Sequence, residues 1–251
     1  MDQRREPILN VPAVLVVMLL VLGLIHAVRE YVLSDDADNA LVWLLAFVPA
    51  RYSTTALNAG LYPGGTGAEI WTFVTCALLH ADWTHYGFNA VWLLAFGSPV
   101  ARRFGAVRFL LFFAVTVAAG CLASLMVHPG ERIFLLGASA GISGMMGAAA
   151  RFAFEPGGSL DHMWHRSRED ADHVPAARLL VALRNPRVVT FVGVWFAINL
   201  LFGLGARSIP GIGAQDVAWE AHIGGFVAGL VLFSAFDPAW HAPPRDDSTL
   251  Q

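Results

Sequence analysis

The chain has 251 residues, 56% of them hydrophobic and only 14% charged, with a formal net charge of −3 at pH 7. Water-soluble domains carry about 25% charged residues, so the composition excludes an ordinary soluble enzyme and places the chain in the membrane class. No basic stripe interleaves with aromatic residues, which excludes a nucleic-acid partner.

All sixteen basic residues are arginine, as expected of a GC-rich bacterial genome, so the expected location is a bacterial inner membrane. Cys76 and Cys121 both sit in apolar runs without CxxC spacing and read as packed core residues.

In chain order, residues 1–9 form a short polar N-terminus containing Arg4 and Arg5. The apolar run Ile8–Ile25 can cross a bilayer core of about 30 Å. A basic start before an apolar run also fits a signal peptide, but the run is long and no small-x-small cleavage site follows, so a retained helix is expected. Residues 29–70 form the longest outward connection. Asp35, Asp36 and Asp38 open it, the short apolar stretch Leu41–Val48 reads as interfacial, and Pro63-Gly64-Gly65 marks a turn.

Five more apolar helices are expected: Trp71–Gly97, Val107–Met126, Ser139–Phe154, Val188–Leu204 and Asp216–Phe236. Residues 155–187 read as a polar, solvated connection and 237–251 as a Pro-rich tail. This gives an all-α membrane protein in which residues 10–236 form a six-helix bundle. Twelve of the sixteen arginines then fall in residues 1–7, 99–108, 151–187 and 237–251, and the positive-inside bias makes both termini cytoplasmic.

Three stretches carry chemistry. Ser139 opens the fourth helix after Gly137. His85 and Asn89 lie four residues apart, on one helical face. His222 shares its face with Gly225 and Gly229 on the sixth helix. At 1.5 Å per residue, Ser139, His85 and His222 each lie about 21–22 Å from the cytoplasmic ends of their helices. Polar groups at one depth on three helices suit one shared site.

Ser139 needs a base, and His222 is the candidate. Small residues at Ala140, Gly144 and Ala148 would let the fourth and sixth helices approach closely. Glu220 and Asp216 do not share the face of His222, so a Ser–His dyad is the economical arrangement. His85, Asn89 and the N–H of Ser139 are candidate oxyanion donors. His80, about 140° around the helix from His85, is expected to order packing.

No HExxH occurs, so no metal or cofactor is expected at this site. His162, His165 and His173 read as solvated loop residues rather than ligands, and His26, His128 and His241 as interfacial or surface residues. Asn199, alone in the fifth helix, reads as an interhelical hydrogen bond without chemistry.

The GxSx serine opening helix four, HxxxxHxxxN on helix two and HxxGxxxG on helix six resemble the rhomboid family of intramembrane serine proteases. The resemblance spans the six-helix core. It implies Ser139 as nucleophile, His222 as base and His85 with Asn89 assisting the oxyanion. It also implies a wet cavity open to the outer side and transmembrane proteins as substrates within the lipid bilayer. The alternative is a non-catalytic relative that binds client transmembrane helices.

Two departures stand out. Ala140 follows the serine where glycine is common, and Gly141-Ile142-Ser143-Gly144 offers Ser143 as a rival nucleophile. The resemblance favours Ser139, because Gly144, Met145-Met146 and Gly147 fall where the family places them only in that register. Trp71-Thr72 stands where many rhomboids carry Trp-Arg, which removes one anchor of the first loop.

Overall fold

A computed structural model describes residues 11–54, 62–160, 171–205 and 218–238. α1 (Ala13–Tyr31) buries Leu15, Leu22 and His26 and leaves Val17, Leu20 and Leu24 more than half exposed. Such an apolar outer face suits lipid rather than water. α6 (Ala106–Val127) and α10 (Trp219–Phe236) are likewise long and apolar enough to cross a membrane. α7 (Ser139–Ala149) is shorter and almost entirely buried, and α9 (Pro186–Gly205) exposes Val189, Val194 and Leu201. α10 lies lengthwise against α6 and α7, and these three form the centre of the molecule.

The outward connection folds on itself. Ser34 caps α2 (Asp35–Leu45) by accepting from the Ala37 N–H, and Asp35, Asp36 and Asp38 occupy the helix's electropositive first turn. A 3-10 turn (Pro49–Tyr52) follows. Gly64, at φ 87°, then starts α3 (Gly65–Thr75) from a conformation that side chains with a Cβ avoid.

Buried Arg51 donates to the Trp43 and Pro63 carbonyls, both at 2.7 Å, and Trp71 Nε1 donates to the Leu44 carbonyl at 2.9 Å. Thr72 has turned inward to the Ala68 carbonyl and the Tyr52 hydroxyl. The cation that fastens this loop thus comes from Arg51, not from position 72.

The expected single helix over residues 71–97 is corrected. α3 ends at Thr75, a 3-10 turn (Cys76–Leu78) follows, and Leu79 is extended with ψ 145°. Asp82 then caps a new helix, α4 (Trp83–Trp92), by accepting from the His85 N–H at 2.7 Å. A π-helical stretch (Leu93–Gly97) leads on into α5 (Ser98–Phe104). Hydropathy does not register the break because Ala77, Leu79 and His80 are all packed inside protein. His80 therefore precedes the helix of His85 rather than sharing it.

Residues expected to be a solvated connection are in part interior. Ala171, Asp172, Val174 and Ala182 are buried, the last in the short helix α8 (Leu179–Ala182). Arg103 grips Asp237 in a bidentate pair, both bonds 2.9 Å, and also donates to the Asp172 and Val174 carbonyls. Arg102 pairs with the Asp172 carboxylate. Burial pushes the Asp172 carboxyl above its ordinary range, against the opposing pull of Arg102. Arg151, just beyond α7, donates to the Ala177 and Leu230 carbonyls and to Ser234. These arginines tie the ends of α5, α7 and α10 to one another.

Candidate active site

The segment before Ser139 is held by backbone bonds to the outward loop and to the 3-10 turn after α3. Phe47 and Leu135 exchange two N–H to carbonyl bonds (3.1 and 2.8 Å), and the Gly137 N–H donates to the Cys76 carbonyl at 2.9 Å. Gly137 has φ 118°, and a Cβ there would lie 2.7 Å from the His85 ring. The glycine is needed both for the backbone turn and for the approach of that ring. Ser139 then stands at the first turn of α7, where backbone N–H groups have no partner within the helix.

His222, in the first turns of α10, places Nε2 2.8 Å from Ser139 Oγ. Close contact of backbones makes this reach possible. Any side chain at Gly225 or Gly229 would overlap the carbonyl of Ala140 or Gly144 on α7. On the opposite side, one at Gly147 would overlap the Phe226 carbonyl. Ser143, one turn further along α7, is 4% exposed and is not the serine that meets His222.

The second partner of His222 is one to which the sequence alone assigns no chemistry. Asn199 Oδ1, from α9, lies 2.7 Å from His222 Nδ1. The available signal is a lone amide in an apolar helix, where a polar group is costly unless it finds a partner. Glu220 instead faces Ser124 and His128 (3.3 and 3.4 Å), in keeping with the expectation that it does not share the face of His222.

His85 and Asn89 line the other side of Gly137, with Asn89 Nδ2 donating to the His85 carbonyl at 3.0 Å. His85 Nδ1 faces the Ala81 N–H at a long 3.5 Å. With Nδ1 accepting, the N–H of a neutral imidazole sits on Nε2, beside Gly137. An Nε2–H, the second proton of the Asn89 amide and the Ser139 N–H form a set of donors suited to a developing oxyanion. Asn89→Ala is expected to lower turnover by about 10²–10³-fold with little change in KM, measured by steady-state cleavage of a peptide-bond substrate.

His80 is fully buried, its ring 5.2 Å from that of His85 and 6.5 Å from that of His26. His26, expected near the surface, is only 2% exposed, packed edge-on against Trp83. Neither ring nitrogen of His26 or His80 has a hydrogen-bond partner within the described residues. Cys76 and Cys121 are buried with sulfurs 3.5 Å apart. His162, His165 and His241 lie outside the described residues. Among the described residues, no group of three or more His, Cys, Asp or Glu side chains is arranged to hold a metal.

Comparison with known proteins gives a consistent family. The chain is 32% identical over 117 residues to the rhomboid relative YdcA of Bacillus subtilis, covering 44% of this chain and 56% of that one. It is 28% identical over 181 residues to rhomboid-related protein 2 of Mus musculus (70% of this chain, 53% of the relative). It is also 28% identical over 172 residues to the rhomboid protease GluP of Bacillus subtilis (66% and 26%). The chain thus spans about half the length of the first two relatives. The profile of the Rhomboid domain matches residues 67–236, the segment holding Ser139, His222, His85 and Asn89. The chain belongs to the rhomboid family of multi-pass membrane proteins.

Proposed function

We propose that this protein is an intramembrane serine endopeptidase that cleaves transmembrane segments of other membrane proteins with a Ser139–His222 dyad. The observation that carries the reading is the 2.8 Å approach of His222 Nε2 to Ser139 Oγ, between two helices whose facing surfaces are glycine and alanine. The domain is residues 10–236, crossing the bilayer six times with both termini cytoplasmic. The crossings are α1, α4 with α5, α6, α7 with the turns to Phe154, α9 and α10. The setting is a bacterial inner membrane.

His222 Nε2 takes the hydroxyl proton as Ser139 Oγ attacks the scissile carbonyl. The new oxyanion is met by His85, Asn89 and the Ser139 N–H. The imidazolium then passes its proton to the leaving amine, and the acyl-enzyme ester remains on Ser139. Water enters from the outer side, gives one proton to His222 and attacks the ester. On collapse His222 returns that proton to Ser139 Oγ, and the new acid loses its own proton to solvent as the carboxylate. The irregular backbone before Ser139 is tolerable at this depth because it lines a wet cavity. Gly225 and Gly229 serve the close helix contact, and Gly137 admits the His85 ring.

The test is cleavage of a model transmembrane substrate by purified protein in liposomes, with products identified by mass spectrometry. Activity retained in Ser143→Ala and lost in Ser139→Ala is expected. The reverse pattern would move the nucleophile one turn along α7. Absence of cleavage by the wild type across a panel of transmembrane substrates would favour the client-binding alternative.

A further inference from the structure

We propose that Asn199 is a positioning residue that fixes the tautomer of His222, so that Ser139, His222 and Asn199 form one hydrogen-bonded chain across three helices. This rests on the Ser–His reading above and adds to it the element that prepares the base.

Donor and acceptor chemistry fixes the orientation of the amide. The Asn199 Nδ2 group donates to the Trp195 carbonyl at 2.8 Å. A carbonyl only accepts, so the amino end of the amide must face Trp195. The oxygen end therefore faces His222 Nδ1, at 2.7 Å. An amide oxygen also only accepts, so Nδ1 carries the ring proton. Nε2 is left with a lone pair, aimed at Ser139 Oγ 2.8 Å away. The reversed amide would set oxygen against oxygen at Trp195 and an amino group against the Nδ1–H. The other tautomer would set an N–H against the serine hydroxyl and could not accept its proton.

A second contact sets the height of the amide. One turn before Asn199, the Trp195 ring stacks on Phe226, centroids 4.5 Å apart and planes 22° from parallel. Phe226 lies one turn after His222. Two i, i+4 pairs, Trp195 with Asn199 on α9 and His222 with Phe226 on α10, thus meet rung to rung. Asn199 is only 7% exposed although its neighbours Ile198, Leu200 and Leu201 face outward. As His222 takes the serine proton it becomes a cation, and the bond from its Nδ1–H to Asn199 becomes charge-assisted. The amide therefore favours the transition state as well as the correct resting tautomer.

A purely structural Asn199 would change stability and leave the chemical step alone. The experiment measures kcat and KM of Asn199→Ala and Asn199→Asp on a transmembrane substrate in liposomes, with fluorophosphonate labelling of the serine and melting temperature recorded in parallel. Ser139→Ala and His222→Ala serve as references. For Asn199→Ala we expect kcat and the labelling rate to fall together by about 10- to 100-fold, with KM within about threefold of wild type. Asn199→Asp keeps an oxygen opposite Nδ1 and, as the neutral acid, an O–H opposite the Trp195 carbonyl, and in that form it is expected to recover most of that loss. In ¹⁵N-histidine NMR of the wild type, His222 should show the Nδ1–H tautomer. An Nε2–H resting tautomer would overturn the proposal even if Asn199→Ala fails to fold. So would wild-type kcat and labelling in Asn199→Ala. In that last case, continued inactivity of Ser139→Ala and His222→Ala would leave the protease reading standing. Activity in Ser139→Ala would remove the Ser139–His222 dyad instead.

Discussion

Ser139→Ala and His222→Ala are each expected to lower kcat by about 10⁴–10⁶-fold, and the double variant to be no worse than either single one. The reason is that the two side chains act as one device. Without Nε2 at 2.8 Å, the serine hydroxyl keeps its proton and is a poor nucleophile; without Oγ, the imidazole has nothing to activate. Residual turnover would come from the oxyanion donors and from substrate positioning, which both variants keep. Losses that instead multiplied in the double variant would mean that Ser139 and His222 act independently, and the dyad would have to be abandoned. Because the effect is chemical, melting temperatures of all three variants should stay near that of the wild type.

Gly225→Val carries the second large effect, and it acts without touching either member of the dyad. Gly225 lies one turn beyond His222, and any Cβ there overlaps the carbonyl oxygen and backbone of Ala140, which directly follows Ser139. Backbone cannot rotate aside as a flexible side chain can, so α10 and α7 must separate. Overpacking of this kind costs about 1–3 kcal/mol of stability. A displacement of about 1 Å at a reacting centre can cost about 10²-fold in rate, and the variant is expected to lose at least that much in kcat/KM. Gly193→Ala on α9 is the control, because open space surrounds that position; its activity should stay within about threefold of wild type. Parallel fluorophosphonate labelling would show whether the Gly225→Val serine is still activated. Undiminished labelling would mean that the close contact does not set the Ser–His distance.

Arg103, Arg151 and Arg51 are each almost fully buried, yet their side chains reach carboxylates or main-chain carbonyls. A guanidinium is always charged and carries five donors, so these residues can tie helix ends together where a purely apolar contact would leave backbone carbonyls unmet. None of the three touches the Ser139–His222 pair, but two of them flank its supports. Arg151 fixes the end of α7, and Arg51 fixes the loop that hydrogen-bonds the segment leading to Gly137.

Features that depend on residues close together in the chain are legible from the chain alone. Apolar runs announced α1, α6, α9 and α10, because a membrane helix satisfies its own backbone and needs only length and hydropathy to be recognised. Spacing brought His85 to the face of Asn89 and His222 to that of Gly225. Glycine content foretold close helix contact on α7 and α10. The tertiary structure alone decided what depends on neighbours distant in sequence. The break at Leu79 and His80 is invisible to hydropathy because protein, not water, surrounds it. Arg103 meets Asp237 across 134 positions, and no local pattern pairs them. Asn199 meets His222 one turn from where Trp195 stacks on Phe226, and both contacts join α9 to α10. Its partner was unreadable in the chain because a buried amide can satisfy any of several donors and acceptors, and packing alone selects which.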